Sequence, residues 1–389
     1  MREKEKIMAT KSEDKTPLVR FGEFELLKAI AIIGLPAIHL MEEAIEGGYA
    51  GQELIKFGTM IIGLCAFGPS VFMLCMGFGI GGGKVSAKSI RKNGIQFLLI
   101  GAILNVFRWL IPGIVQSLTI QTKLIEDITF CLQSDIYYFV GLFFILYSFL
   151  RKKNISSAGM LFNSILMLTA NMLLTPITGK YITNPILASL VGNIVYVNET
   201  SCFPLMSWAI FPSIGILLGD ILKKSDENQR EFIMKRMLDF SFVLFVSFTV
   251  FLVQYRIDFM KVLVSPNNNY ITDLPNVILL TSLALFLLSL TYYLCKKIGA
   301  SSFMKYMLTI SAFIIPFYLL QWIIIAWIFY LLPILHMPSG CFGVGWYLFS
   351  VIAVTAICIL ISTRYGMKIM KYLLKITTIK KKKLQEAKQ

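Results

Sequence analysis

The feature that most constrains this chain is a series of ten apolar segments, each close to the length of a membrane-spanning helix. A helix needs about 20 apolar residues to cross the hydrocarbon core of a bilayer. The segments cover residues 24–41, 55–80, 94–114, 128–150, 158–176, 203–222, 238–256, 276–295, 308–332 and 344–363. The chain is 56% hydrophobic and 15% charged, with a mean hydropathy of +0.71. We therefore predict an all-α fold, a polytopic transmembrane helix bundle of about ten spans.

Basic residues are distributed unevenly between the two sets of alternating loops. One set, together with both termini, holds 30 of the 37 Lys and Arg residues. The positive-inside rule then predicts that both termini are cytoplasmic. This distribution accounts for the formal net charge of +15 without a nucleic-acid partner, and we expect none. We divide the chain into a cytoplasmic N-terminal tail (1–23), a transmembrane domain (24–372) and a basic cytoplasmic C-terminal tail (373–389).

The first apolar segment carries ionisable side chains inside or at the edge of the span. An ionisable group in lipid costs roughly 2.5–3.5 kcal/mol, so such groups usually face a bundle interior or an aqueous cavity. Lys28 and His39 lie on one helix face about 16 Å apart along the axis, and Glu25 can pair with Lys28 at i, i+3. Glu42 and Glu43 follow His39, and a histidine beside carboxylates suits a base or an acyl carrier. The alternative is a snorkelling lysine and an interfacial histidine.

Polar residues in the third and fourth segments are candidates for the same cavity. Asn105 and Arg108 are one turn apart near the end of the third segment. Gln133 and Asp135 lie among apolar residues in the fourth segment, and an intramembrane carboxylate needs a partner, for which Arg108 is a candidate. Alternatively, Arg108 snorkels beside Trp109 into the interfacial belt.

The first segment resembles the first helix of the membrane acyltransferase superfamily, which includes the acyltransferase-3 proteins and heparan-α-glucosaminide N-acetyltransferase. That helix carries an acidic residue, an arginine three positions later and a histidine eleven positions after the arginine. Here the matches are Glu25, Lys28, Ala31 and His39, with lysine in place of the arginine. The stretch FGPSVFMLCMGFGI is similar to the second segment of the family, and FPLMSWAIFPSIGILLGDIL, which includes Trp208, is similar to a later one.

Six further residues extend the resemblance or depart from it. Asn105 and Arg108 are similar to a family segment that ends in the same pair, and Gln133 matches a glutamine in the next segment. Lys88 and Arg91 resemble a pair of arginines in a short loop of acyltransferase-3 proteins. Gln321 occupies a position where relatives often carry a histidine.

The resemblance implies a membrane acyltransferase that uses acyl-coenzyme A as donor and a sugar, glycan or lipid-linked acceptor. It implies that His39 is a base or acyl carrier, that Lys28 with Glu25 positions the donor, and that Lys88 and Arg91 hold its phosphates. The expected substrate-binding residues are Asn105, Arg108, Glu42, Glu43, Gln133, Asp135, Trp208 and Gln321. No metal-ligand cluster is apparent, so no metal is expected.

The expected setting is a bacterial cytoplasmic membrane, with membrane lipids as partners and the oligomeric state left open. Two alternatives remain at this point. One is a transporter or lipid carrier whose intramembrane charges line a path. The other is an acyltransferase-like protein that has lost its activity, because Lys28 and Gln321 depart from the family pattern.

Overall fold

The computed structural model describes residues 21–65, 67–83, 85–120, 124–132, 135–197, 201–257, 274–299 and 301–386. Ten helical stretches within this part are long and apolar enough to cross a membrane, which confirms the predicted helix bundle. The helices are α1 Gly22–Glu46, α2 Gln52–Cys65, α3 Gly68–Ile80, α4 Ala87–Asn105, α5 Ile111–Ile120, α6 Leu124–Cys131, α7 Ile136–Lys152, α8 Ser157–Tyr181, α9 Pro185–Gly192, α10 Leu205–Trp208, α11 Ile210–Leu222, α12 Glu227–Gln254, α13 Leu274–Ile298, α14 Ser302–Ala312, α15 Ile314–Ile334 and α16 Val344–Glu386.

Helix α1 lies at the centre of the bundle. It packs against α2, α3, α13, α14, α15 and α16, and most of its residues are buried, including the polar His39 and Glu42. A largely apolar helix is expected to be enclosed by other elements in this way.

Several spans depart from the continuous helices that hydropathy alone predicts. The second span divides into α2 and α3, and Pro69 occupies the first turn of α3, where a missing N–H is tolerated. A π-helical turn, Val106–Leu110, joins α4 to α5. In the fourth span α6 ends at Cys131 and α7 begins at Ile136. Asp135 Oδ1 accepts a hydrogen bond from the Tyr137 N–H at 3.0 Å and so caps α7. Irregular backbone at membrane depth is tolerated where it is buried in protein or lines a cavity.

The predicted start of the ninth span and the predicted start of the C-terminal tail also differ from the helix boundaries in the structure. The predicted ninth span begins at residue 308, whereas the structure has a separate α14 before the spanning helix α15. Helix α16 continues to Glu386, well beyond residue 373, where the predicted tail begins. Residues 1–20 of the predicted N-terminal tail lie outside the described residues.

Close packing of α3 on α11 requires glycine where the two helices cross. A Cβ on Gly77 would lie 2.0 Å from the Pro212 carbonyl oxygen, and one on Gly215 would lie 2.0 Å from the Leu74 carbonyl oxygen. Real Cβ atoms do not approach backbone so closely, so the two helices touch along their main chains. Gly79 is different, because a Cβ there would meet no atom within 4 Å.

We expect Gly215→Ala to lower the melting temperature of the detergent-solubilised protein. The added methyl group forces α3 and α11 apart, and overpacking of this kind typically costs about 1–3 kcal/mol. The matched control is Gly79→Ala, which adds the same group in open space and should melt at or above the wild-type temperature, since alanine favours helix by about 1 kcal/mol over glycine. Equal melting of the two variants would contradict the observed helix crossing.

Candidate active site

Two adjacent cavities lie along α1, and we name each after its ionisable residue on that helix. The histidine cavity, of about 390 Å³, is lined by His39, Glu42, Glu43, Arg108 and Asp135 among others. The lysine cavity, of about 270 Å³, is mainly apolar. Its wall includes Lys28, Met73, Cys75, Gly79, Phe97 and Tyr137. Phe72, Ile136 and Tyr318 contribute to both cavities, so the two share a wall.

His39 is held in a fixed orientation at one edge of the histidine cavity. The side chain is 5% exposed, and its ring stacks on Trp322 of α15 with centroids 3.8 Å apart and planes inclined by 22°. Gln321 places its Nε2 3.0 Å from His39 Nδ1. The side chain that contacts Nδ1 is thus an amide from a distant helix, and not one of the neighbouring carboxylates suggested by the sequence.

Arg108 projects from the π-helical turn into the same cavity. Its guanidinium lies 3.3 Å from Glu43 Oε1 and 3.8 Å from Asp135 Oδ2. The Arg108–Asp135 pair is the one the sequence predicts, and Glu43 is an additional partner. The guanidinium carbon also lies 3.2 Å from the ring centroid of Trp322, a cation–π contact. Arg108 and His39 therefore both contact the Trp322 indole.

Tyr318 and Trp322 were missed by sequence reasoning, although both belong to the site. The Tyr318 hydroxyl donates to Asp135 Oδ2 at 3.1 Å. Residues at i, i+3 and i+4 share a helix face, so Tyr318, Gln321 and Trp322 point the same way from α15. Two aromatic residues and an amide on one face of a span without charged residues were a signal that could have identified them.

Lys28 and Glu25 form the predicted ion pair at the far end of α1. Lys28 Nζ lies 2.9 Å from Glu25 Oε1, and the Ser311 hydroxyl donates to Glu25 Oε2 at 2.5 Å. Glu25 is thus held from both sides, and the lysine side chain forms part of the lysine cavity. The structure thus places this cation in the wall of the lysine cavity.

Trp208 and Asn105 do not line either cavity, although both were predicted to bind substrate. Trp208 is 1% exposed and packs in the core, with ring centroids 5.1 Å from Phe203 and 5.2 Å from Phe211. The Asn105 Nδ2 donates to the Cys131 carbonyl at 3.0 Å, which ties α4 to α6. Both residues support the helices around the site.

The remaining predicted residues with a described structure do not belong to the wall of either cavity. Lys88 and Arg91 are exposed near the start of α4 and belong to the wall of neither cavity. Gln133 lies outside the described residues. Gln321 contacts His39 and does not form part of the cavity wall.

Cys202 is the thiol in the wall of the histidine cavity, in the loop before α10. Burial raises its pKa to about 12, so the group is a neutral thiol at physiological pH. A thiol attacks a carbonyl as its thiolate. Of these two side chains, the imidazole of His39 is the better suited base or nucleophile.

Chemically, the histidine cavity combines a base with a cation. An imidazole nitrogen can remove a proton from a bound hydroxyl or amine, and Arg108 can stabilise negative charge that develops nearby. This combination suits transfer of a group between a carbonyl compound and a hydroxyl or amine.

Comparison with known proteins agrees with this assignment. The acyltransferase-3 family model, described as an acyltransferase domain, matches residues 21–363. Neither the curated proteins nor the solved structures include a significant match. The family match spans the whole region that contains both cavities.

Proposed function

The chain belongs to the acyltransferase-3 family, and from this premise we propose that it transfers an acyl group from acyl-coenzyme A to a membrane-associated acceptor. The proposed acyl group is acetyl, and the acceptor is a hydroxyl or amine of a sugar, glycan or lipid-linked sugar. The observation that carries the proposal is the buried His39, which forms part of the wall of a cavity together with Arg108. We further propose a bacterial cytoplasmic membrane as the location, with both termini in the cytoplasm.

In the proposed reaction His39 is the general base. A ring nitrogen takes the proton from the acceptor while the acceptor oxygen or nitrogen bonds to the thioester carbonyl carbon. The carbon–sulfur bond then breaks, and the ring passes the proton to the coenzyme A thiolate. General acid–base catalysis of this kind typically contributes 10²–10⁴ in rate.

Arg108 stabilises the negative charge that develops on the carbonyl oxygen. Its contacts with Glu43, Asp135 and Trp322 hold the guanidinium in place before the substrate arrives. A preorganised cation lowers the barrier, because its position does not have to change as the new charge develops.

The donor enters through the lysine cavity. Its mainly apolar wall suits the pantetheine arm of coenzyme A, and Lys28 provides a cation for an anionic or carbonyl group of the donor. Because the two cavities share a wall, a thioester held against that wall lies close to His39. Lys28 and His39 are separated by about 16 Å along α1, roughly the reach of an extended pantetheine arm. Lys88 and Arg91 are proposed to hold the phosphates outside this cavity.

The test is transfer of label by the purified protein in liposomes. Acetyl-coenzyme A labelled in the acetyl group would be added with a panel of neutral sugars, amino sugars and lipid-linked sugars. We expect label in an acceptor, and no label on the protein when the acceptor is omitted. Passage of an unmodified sugar or lipid across the bilayer, with no labelled product, would contradict the proposal and favour a transporter. Absence of both transfer and passage would favour the inactive alternative.

We expect Lys28→Met to raise the KM for acetyl-coenzyme A by about tenfold or more. A hydrogen bond to a charged group is worth about 1.5–3 kcal/mol, and 1.4 kcal/mol corresponds to a factor of ten. Lys28→Arg keeps the charge and should have a smaller effect. Glu25→Gln should also do less harm than Lys28→Met, because Glu25 only orients the lysine. Steady-state kinetics measure all three.

Gly79→Leu provides a second test of the lysine cavity that does not alter charge. Gly79 lines the lysine cavity, and a Cβ there meets no atom within 4 Å, so we expect a leucine side chain at this position to extend into the cavity. It should weaken donor binding while the melting temperature stays at the wild-type value. Unchanged donor KM in both Lys28→Met and Gly79→Leu would remove the lysine cavity from the donor path.

A further inference from the structure

The contact between Gln321 and His39 has a chemical consequence that goes beyond the proposed reaction. Gln321 is fully buried, and its Nε2 lies 3.0 Å from His39 Nδ1. The stack on Trp322 holds the imidazole plane at the same time. Because Nδ1 is engaged by Gln321, Nε2 is the ring nitrogen left to receive a proton from a substrate.

The orientation of the Gln321 amide decides which ring nitrogen of His39 carries the hydrogen. An amide nitrogen only donates, so when Nε2 of Gln321 faces Nδ1, the ring hydrogen must sit on the imidazole Nε2. An amide oxygen only accepts, so when Oε1 faces Nδ1, the hydrogen sits on Nδ1 and the imidazole Nε2 keeps its lone pair. Only the second arrangement allows the imidazole Nε2 to act as a base.

The chemistry of His39 favours the second arrangement. Once His39 has taken up a proton, both ring nitrogens carry hydrogen, and an amide N–H facing Nδ1–H would be repelled, whereas an amide oxygen accepts from Nδ1–H in both the neutral and the protonated ring. A half turn of the amide about its terminal bond brings Oε1 to Nδ1 without displacing any backbone.

We infer that Gln321 is a positioning residue that presents its amide oxygen to Nδ1 of His39 and keeps the imidazole Nε2 available as proton acceptor. Its role resembles that of an orienting carboxylate beside a catalytic histidine, but it adds no charge. The inference rests on the proposed function only for its catalytic consequence, since the tautomer itself is a property of the protein alone.

The tautomer can be measured directly because the chain has two histidines, His39 and His336. His336 is exposed in a loop with a φ of 53°, a backbone conformation that asparagine tolerates, so His336→Asn leaves His39 as the one histidine. In this variant, labelled with ¹⁵N-histidine, we expect ring ¹⁵N shifts of a protonated Nδ1 and an unprotonated Nε2. Adding Gln321→Leu should shift the population toward hydrogen on Nε2. A parent already protonated on Nε2, or no change on adding Gln321→Leu, would overturn the inference.

Kinetic measurements show whether Gln321 acts by accepting a hydrogen bond from His39 or by donating one. Gln321→Glu retains an oxygen that accepts from Nδ1–H and should keep most of the activity, whereas Gln321→Leu should lower kcat by about 10- to 100-fold with both KM values nearly unchanged. Loss of activity in a normally folded Gln321→Glu variant would show that the amide N–H matters and would overturn the inference. If Gln321→Glu does not fold, the NMR measurement on the His336→Asn parent decides. If no acyl transfer is found at all, the proposed function fails, while the tautomer measurement still tests the contact.

Discussion

Replacing His39 should lower the rate of acyl transfer by about 10²–10⁴-fold, the usual contribution of a general acid–base group. His39 is buried and stacked on Trp322, so alanine would also leave a cavity in the site. His39→Asn is the better variant, because it keeps a polar side chain and fills part of that space. The measurement is the rate of label transfer from acetyl-coenzyme A, together with the melting temperature in the same detergent.

The matched control for this loss is the other histidine. His336→Asn removes an imidazole from an exposed loop and should leave turnover and melting unchanged. Turnover within twofold of wild type in a folded His39→Asn variant would exclude the histidine from the chemistry. Equal losses in the two variants would point to a general effect of histidine removal and would also contradict the proposed role.

Arg108→Met should both abolish turnover and destabilise the fold. The guanidinium lies against two carboxylates, Glu43 and Asp135, whose side chains are at most 13% exposed. Removing one partner of a buried ion pair typically costs about 3–5 kcal/mol, because a buried charge is left uncompensated. Thermal melting and the transfer rate, measured on the same preparation, give the two effects.

Neutralising the partners distinguishes the two effects of Arg108→Met. A variant that combines Arg108→Met with Glu43→Gln and Asp135→Asn has no unpaired charge at these positions, so it should recover much of the lost melting temperature. Its turnover should remain low, because the cation that stabilises the transition state is still missing. Arg108→Lys should melt closer to wild type but remain slow, since an ammonium cannot reproduce the planar fork. Recovery of activity in the combined variant would exclude Arg108 from the mechanism.

The number and type of spans followed from the sequence because they depend on local properties. Hydropathy over about 20 residues identifies a segment that prefers lipid to water, and the spacing of residues on one helix identifies neighbours such as Glu25 and Lys28. The Arg108–Asp135 pair was also predictable. A carboxylate within a membrane needs an opposite charge, and the apolar segments contain few basic residues. These inferences require no knowledge of how the helices pack.

The composition of the site depended on contacts between distant parts of the chain. His39 meets Gln321 and Trp322 across 282 and 283 residues, and nothing in either segment alone indicates that α1 and α15 present these faces to each other. Trp208 shows the converse, because a tryptophan near the end of a span looks like an interfacial anchor or a site residue, while the packing of α10 places it in the core. Hydropathy and helical periodicity thus determined which segments cross the membrane and which residues share a helix face. Side-chain packing between the helices, which depends on shape over long sequence separations, decided which of those faces meet.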